Sequence, residues 1–134
     1  MKILAPLLLV FSSFAFAESV FEDDRWKDNL NYKKADEIGI TVKKTENKME
    51  QGCVDFEISA PVKINSKELR FISAYLGKDS VFAGGMDLAL DKSNSQNYTT
   101  SLGLCEIAAS EVKFNFGYKL GAENESYIIS YSIK

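Results

Sequence analysis

Histidine is absent from the 134-residue chain. Its absence removes the side chain that most often acts as general base, metal ligand and switch near neutral pH. Cysteine is nearly absent, with Cys53 and Cys105 alone; once these pair, no thiol remains for a cysteine–histidine dyad or a zinc centre. Arginine is reduced to Arg25 and Arg70, and no basic cluster carries interleaved aromatics. The chain therefore lacks what binding to a phosphate backbone requires, and no nucleic acid is expected as a partner. Neither "GKDS" nor "GLCE" has the glycine and lysine spacing of a phosphate loop. Paired carboxylates are the one catalytic constellation the composition still allows, as in glycoside cleavage. Nothing selects such a pair, so the chain is read as a non-enzyme that needs no cofactor and no metal.

The longest apolar run, Ile3 to Val10, is short of the roughly 20 residues of a spanning helix, and Pro6, Ser12 and Ser13 interrupt the segment around it. Lys2 before that run and Ala15-Phe16-Ala17 after it match a secretory signal peptide, residues 1–17, cut after Ala17. No cysteine follows the cut, so no lipid or membrane anchor is expected, and the destination is periplasmic or secreted. Removing 1–17 leaves 15 bases against 19 acids, a formal charge of −4, which is ordinary for a soluble domain.

In an oxidising compartment the isolated pair Cys53 and Cys105 is expected to form a disulfide. In "CVDFEIS", Val54, Phe56 and Ile58 share one face of an extended strand, and Cys53 falls on the other with Asp55 and Glu57. In "YTTSLGLC", Cys105 is likewise out of phase with Leu102 and Leu104. The bridge should thus lie on an outer face or at a strand end, unlike the immunoglobulin bridge that crosses the core.

Residues 18–37 read as an arm or short helix, with Ser19 and Glu22 as a capping box and Lys33 and Lys34 near its end. From Ile38 the period becomes two: "IGITVKK", "CVDFEISA", "KELRFISAYL", "MDLAL", "YTTSLGLC", "EVKFNFGYKL" and "SYIISYSIK". "KELRFISAYL" is apolar on both faces, the mark of a central strand covered on both sides. "GAEN" is the expected turn of the last hairpin. About seven short strands over 38–134 predict an all-β chain: a small antiparallel β-sandwich, Ig-like or barrel-like, with one disulfide and a short N-terminal helix.

Asp87, Asp91, Ser93 and Asn94 offer oxygen ligands near one loop, but their spacing fits no calcium loop and reads as turn chemistry. The sequons at Asn97 and Asn124 are taken as chance. "GKDSVFAGG", residues 77–85, reads as a loop presenting Val81 and Phe82, a candidate anchor for a protein partner. The competing readings are that Phe82 plugs the end of the sandwich or that "SVFA" is a short edge strand. The acidic turn at Glu123 and Glu125 is a candidate helper. The expected function is binding of another protein, as an inhibitor, an immunity-type protein or an assembly or adhesion module. The alternative is a small-ligand or carbohydrate-binding module that stacks its ligand on Trp26 or surface tyrosines.

Overall fold

The computed structural model describes residues 32–79, 81–92 and 94–133. The expected signal segment, its expected cut after Ala17, the expected Ser19–Glu22 capping box and Trp26 lie outside them. Among the described residues one helix, α1 (Tyr32–Ile38), precedes nine strands: β1 (Thr41–Glu46), β2 (Cys53–Pro61), β3 (Lys63–Ile64), β4 (Lys67–Lys78), β5 (Val81–Asp87), β6 (Asp91–Lys92), β7 (Asn97–Cys105), β8 (Glu111–Leu120) and β9 (Glu123–Ser132). They form two antiparallel sheets. The first has the order β1-β2-β7-β6. In the second, β4 is flanked by β8 and then β9 on one side, while β3 and β5 share its other edge.

Alternation decides which face of each strand is buried. Val54, Phe56, Ile58 and Ala60 of β2 face Ile72 and Ala74 of β4, Val112, Phe114, Phe116 and Tyr118 of β8, and Ile129 and Tyr131 of β9, in one shared core. Phe56 meets Phe114 edge-on at 5.2 Å and Tyr131 at 5.6 Å, and Phe114 meets Tyr131 at 5.8 Å. Each such pair contributes about 0.5–1.5 kcal/mol beyond its buried area. The sheets are also joined by polar bonds at their ends: Tyr118 Oη donates to the Pro61 carbonyl at 2.8 Å and Lys44 Nζ to that of Ser132 at 3.1 Å.

Where the elements depart from the sequence reading, local chemistry gives the reason. The helix was expected within 18–37, with Lys33 and Lys34 near its end. In the fold it runs to Ile38, and both lysines stand in its first turn. "IGI" is not the start of a strand but a helix stop. Gly39, at φ +89°, donates to the Asp36 carbonyl, and Ile40 donates to that of Ala35. This is the Schellman pattern, in which glycine takes the left-handed position and the next apolar residue folds back on the helix. Ile40 and Ala35 are accordingly both buried. "MDLAL" is not one strand either. Met86 and Asp87 end β5, Leu88 packs on the core and donates its N–H to the Ile72 carbonyl of β4, Leu90 packs on the core beyond it, and Asp91 starts β6.

On the outer face of the second sheet, Gly117 of β8 sits beneath the Phe71 ring. A Cβ there would come within 2.3 Å of ring carbons. Glycine lets the ring lie flat on the strand, an arrangement that covers the backbone a strand glycine would otherwise expose. Gly117→Ala is expected to cost about 1–3 kcal/mol as an overpacking change. In a Phe71→Ala background the same substitution should cost far less. A double-mutant cycle by urea unfolding measures that coupling.

Two buried phenols set an alkaline limit. Burial, and secondarily the neighbouring Tyr127, pushes the Tyr118 hydroxyl well above the usual tyrosine range. Burial first and the Glu125 carboxylate second push Tyr127 up to about 12. Both phenols stay protonated in the fold at pH values where they ionise in the unfolded chain, about pH 10. Their stabilisation is fully present below about pH 10 and is lost progressively above it, for Tyr127 as the pH rises through about 12 and for Tyr118 higher still. Urea midpoints should hold to about pH 10 and then fall, and the fall should be shallower in Tyr127→Phe.

Candidate functional site

The disulfide lies where the strand phase puts it. Cys53 and Cys105 face each other in the β2–β7 register, followed by Asp55 opposite Gly103 and Glu57 opposite Ser101 on the outer face of the first sheet. It closes the end of that sheet, 52 residues apart in sequence. Glu50 Oε2 lies 3.5 Å from Cys53 Sγ and 4.0 Å from Cys105 Sγ. These three are the one cluster of potential metal ligands among the described residues. With both sulfurs bonded to each other, the cluster offers a single carboxylate and no thiolate, so it is a shielded staple.

Around this staple three turns are tied into one end of the sandwich. In the β1–β2 turn, Asn47 Oδ1 accepts the backbone N–H groups of Met49 and Glu50 at 2.9 and 3.2 Å, while its own N–H donates to the Cys53 carbonyl. In the β7–β8 turn, Ala108 and Ala109 donate to the Cys105 carbonyl, and buried Ala109 anchors the turn on the core. Glu106 N–H donates to the Gly52 carbonyl at 2.8 Å, which joins these two turns directly. The third tie comes from β4: Lys78 Nζ donates to the carbonyls of Glu106 and Ile107, and Ser110 N–H donates to the Gly77 carbonyl. Lys78 pairs in turn with Val81, the first residue of β5.

This end carries an unusual surface. Six large hydrophobic residues are exposed among the described residues, and four of them belong here: Met49 (93%), Ile107 (86%), Val81 (41%) and Phe82 (37%). Apolar side chains on turns fixed by a disulfide and by hydrogen bonds lose little further freedom on binding, which is what an interface anchor needs. Beside them β5, exposed over most of its length, is an edge strand among the described residues. Such an edge can accept an added strand.

The residues singled out in the sequence divide between two ends of the molecule. Val81 and Phe82 are not on a loop, as expected, but on β5, where Phe82 pairs with Gly77 across a bulge. The reading of "SVFA" as an edge strand is the one the fold adopts. Glu123 and Glu125 begin β9 at the opposite end, beside Tyr118 and Leu120 of β8. There they bracket Lys67 at 4.0 and 3.4 Å. A hydrogen bond from Tyr127, reinforced by Lys67, holds the Glu125 carboxyl below the usual range. They form no common patch with Phe82. Met49 and Ile107 were missed, though a signal existed: each is a lone apolar residue in a polar turn close to a cysteine, and pairing the cysteines brings the two turns together. Of the residues weighed for calcium, Asp87 accepts a hydrogen bond from Ser73 Oγ, and Asn94 Oδ1 accepts the N–H groups of Gln96 and Asn97. These are strand and turn roles.

No protein family, curated protein or solved structure matches this chain.

Proposed function

We propose that this chain is an exported, non-enzymatic protein-binding module that engages its partner at the disulfide end of the sandwich. One observation carries the proposal: Met49 and Ile107, on turns held by the Cys53–Cys105 bridge and by Lys78, are exposed at the same end as Val81 and Phe82, which begin the edge strand β5. Apolar exposure concentrated on a rigid scaffold is the pattern of a recognition surface. The disulfide supports an oxidising compartment, and with it the reading of residues 1–17 as an export signal. Among the described residues no helix is long and apolar enough to cross a membrane. An inhibitor, an immunity-type protein and an assembly or adhesion module would all present such a surface. The carbohydrate reading gains no support from the surface tyrosines, since Tyr75, Tyr98 and Tyr127 are half-buried.

The test is partner capture from periplasmic extract followed by a single substitution. Phe82→Ala should weaken binding by roughly 2 kcal/mol or more, a hot-spot-sized loss. The melting temperature should move little. A stability loss of about 3–5 kcal/mol would instead assign Phe82 to the core.

A further inference from the structure

Three potential metal donors converge at the disulfide end, and the bridge decides whether they act. Glu50 Oε2 lies 3.5 Å from Cys53 Sγ and 4.0 Å from Cys105 Sγ. While the sulfurs are bonded to each other they offer no thiolate, and one carboxylate alone does not make a site. Reduction turns the same three residues into two thiolates and a carboxylate.

The frame that carries them outlasts the bridge. Cys53 and Cys105 stand opposite each other in a β2–β7 register that continues from Val54–Leu104 to Pro61–Asn97, so their Cβ atoms stay neighbours when the sulfurs part. Glu50 is tied to Cys53 within its own turn: Asn47 Oδ1 accepts the Glu50 N–H at 3.2 Å, and Asn47 N–H donates to the Cys53 carbonyl at 3.0 Å. A cleft of about 350 Å³, lined by Asn47, Gly52, Cys53 and Glu106 among others, opens beside Cys53 and gives a hydrated ion a way in.

The spacing is that of a tetrahedral site. With Zn–S at about 2.3 Å and Zn–O at about 2.1 Å, the edges of the tetrahedron are about 3.6 Å from oxygen to sulfur and about 3.8 Å from sulfur to sulfur. The two oxygen–sulfur edges already stand at 3.5 and 4.0 Å. The third needs only that the sulfurs separate to ordinary contact, which breaking their bond requires in any case. Three anionic groups in contact repel one another until a divalent cation sits among them. Two sulfur donors select a thiophilic ion, since calcium and magnesium take oxygen ligands.

We propose that the reduced chain binds one thiophilic divalent cation, of which zinc is the type, through Cys53 Sγ, Cys105 Sγ and one Glu50 carboxylate oxygen, with water in the fourth position. A dithiol opens the site: its two sulfurs join in a disulfide, and two electrons and two protons pass to the Cys53 and Cys105 sulfurs. The cation then displaces both protons and takes over from the bridge in joining β2 to β7. This holds whether or not that end of the sandwich engages a protein.

The test uses the full chain, reduced with a phosphine that becomes its oxide and leaves no competing thiol. Cobalt(II) should give thiolate-to-metal charge-transfer absorption that saturates at one ion per chain, and zinc should displace it with the release of close to two protons per chain relative to the metal-free protein. The oxidised chain should give neither signal. Zinc at about a hundredfold excess over its dissociation constant should raise the melting temperature of the reduced chain by roughly 10 °C and leave that of the oxidised chain unchanged. Glu50→Gln, which keeps both thiols, should weaken zinc binding by roughly tenfold or more, while Glu106→Gln, on the wall of the cleft, should not. Equal zinc affinity in the reduced and oxidised chains would overturn the proposal by assigning the ion to surface carboxylates. A reduced chain that zinc neither binds nor stabilises, whether or not its strands persist, would overturn it as well, and so would unchanged affinity in Glu50→Gln.

Discussion

Replacing Cys53 and Cys105 together by alanine is expected to lower stability by about 4 kcal/mol, the chain-entropy value for a loop of this length. The bridge closes 52 residues and so removes much of the freedom of the unfolded chain. Against a total of about 5–15 kcal/mol for an ordinary domain, that loss is a large fraction. It corresponds to a fall in melting temperature of roughly 15–30 °C for a domain of this size. The β2–β7 register continues through nine residue pairs beyond and including the bridge, so the sheet itself should survive and melt cooperatively at the lower temperature. The end of the sandwich should not keep its shape. Without the bridge, the backbone bond between the turns carrying Met49 and Ile107 among the described residues is the one from Glu106 to Gly52, and partner binding should weaken along with stability. Thermal melts with and without a thiol reductant, read by circular dichroism, check the first effect. Equal melting temperatures under both conditions would show that the bridge does not hold the fold.

Much of this architecture was legible because strand alternation is a strong signal wherever one face is buried. The β8 segment reads as Val112, Phe114, Phe116 and Tyr118 against Lys113, Asn115, Gly117 and Lys119, and its bounds in the fold coincide with the sequence reading. The cysteines were legible for the same reason, since both fall out of phase with the apolar residues of their strands. The two-faced pattern of "KELRFISAYL" marked β4 as central, and it lies between β8 and the edge that β3 and β5 share. What alternation left open was structure without burial. β5 is exposed along most of its length and contains Gly84 and Gly85, so the pattern does not choose between a loop and the short edge strand that "SVFA" also allows, and its pairing with β4 decides its state. The helix stop at Gly39 escaped because "IGI" satisfies a strand pattern as well as a Schellman stop; the bonds to Asp36 and Ala35 select the latter. The disulfide end as a surface was half-legible. Phe82 stood out among glycines and charges, whereas Met49 and Ile107 become neighbours only when the bridge is drawn.

The second large effect concerns that surface. Met49, Phe82 and Ile107 replaced together by serine should abolish measurable partner binding, because each removes an exposed apolar anchor from one rigid site. A single hot-spot loss of about 2 kcal/mol is already about 30-fold in affinity. Met49 and Ile107 stand almost wholly in solvent, so their removal leaves no cavity, and the fold should melt close to the parent temperature. The most direct measurement is quantitative capture of one partner by three proteins: the parent, the M49S/F82S/I107S variant, and a control altered at the far end, L120S/E123Q/E125Q. Binding at the disulfide end predicts that the parent and the control retain the partner equally, while the first variant loses it at an unchanged melting temperature. Retention by that variant, loss by the control, or a sugar or metabolite that raises the melting temperature where no protein is captured would contradict it.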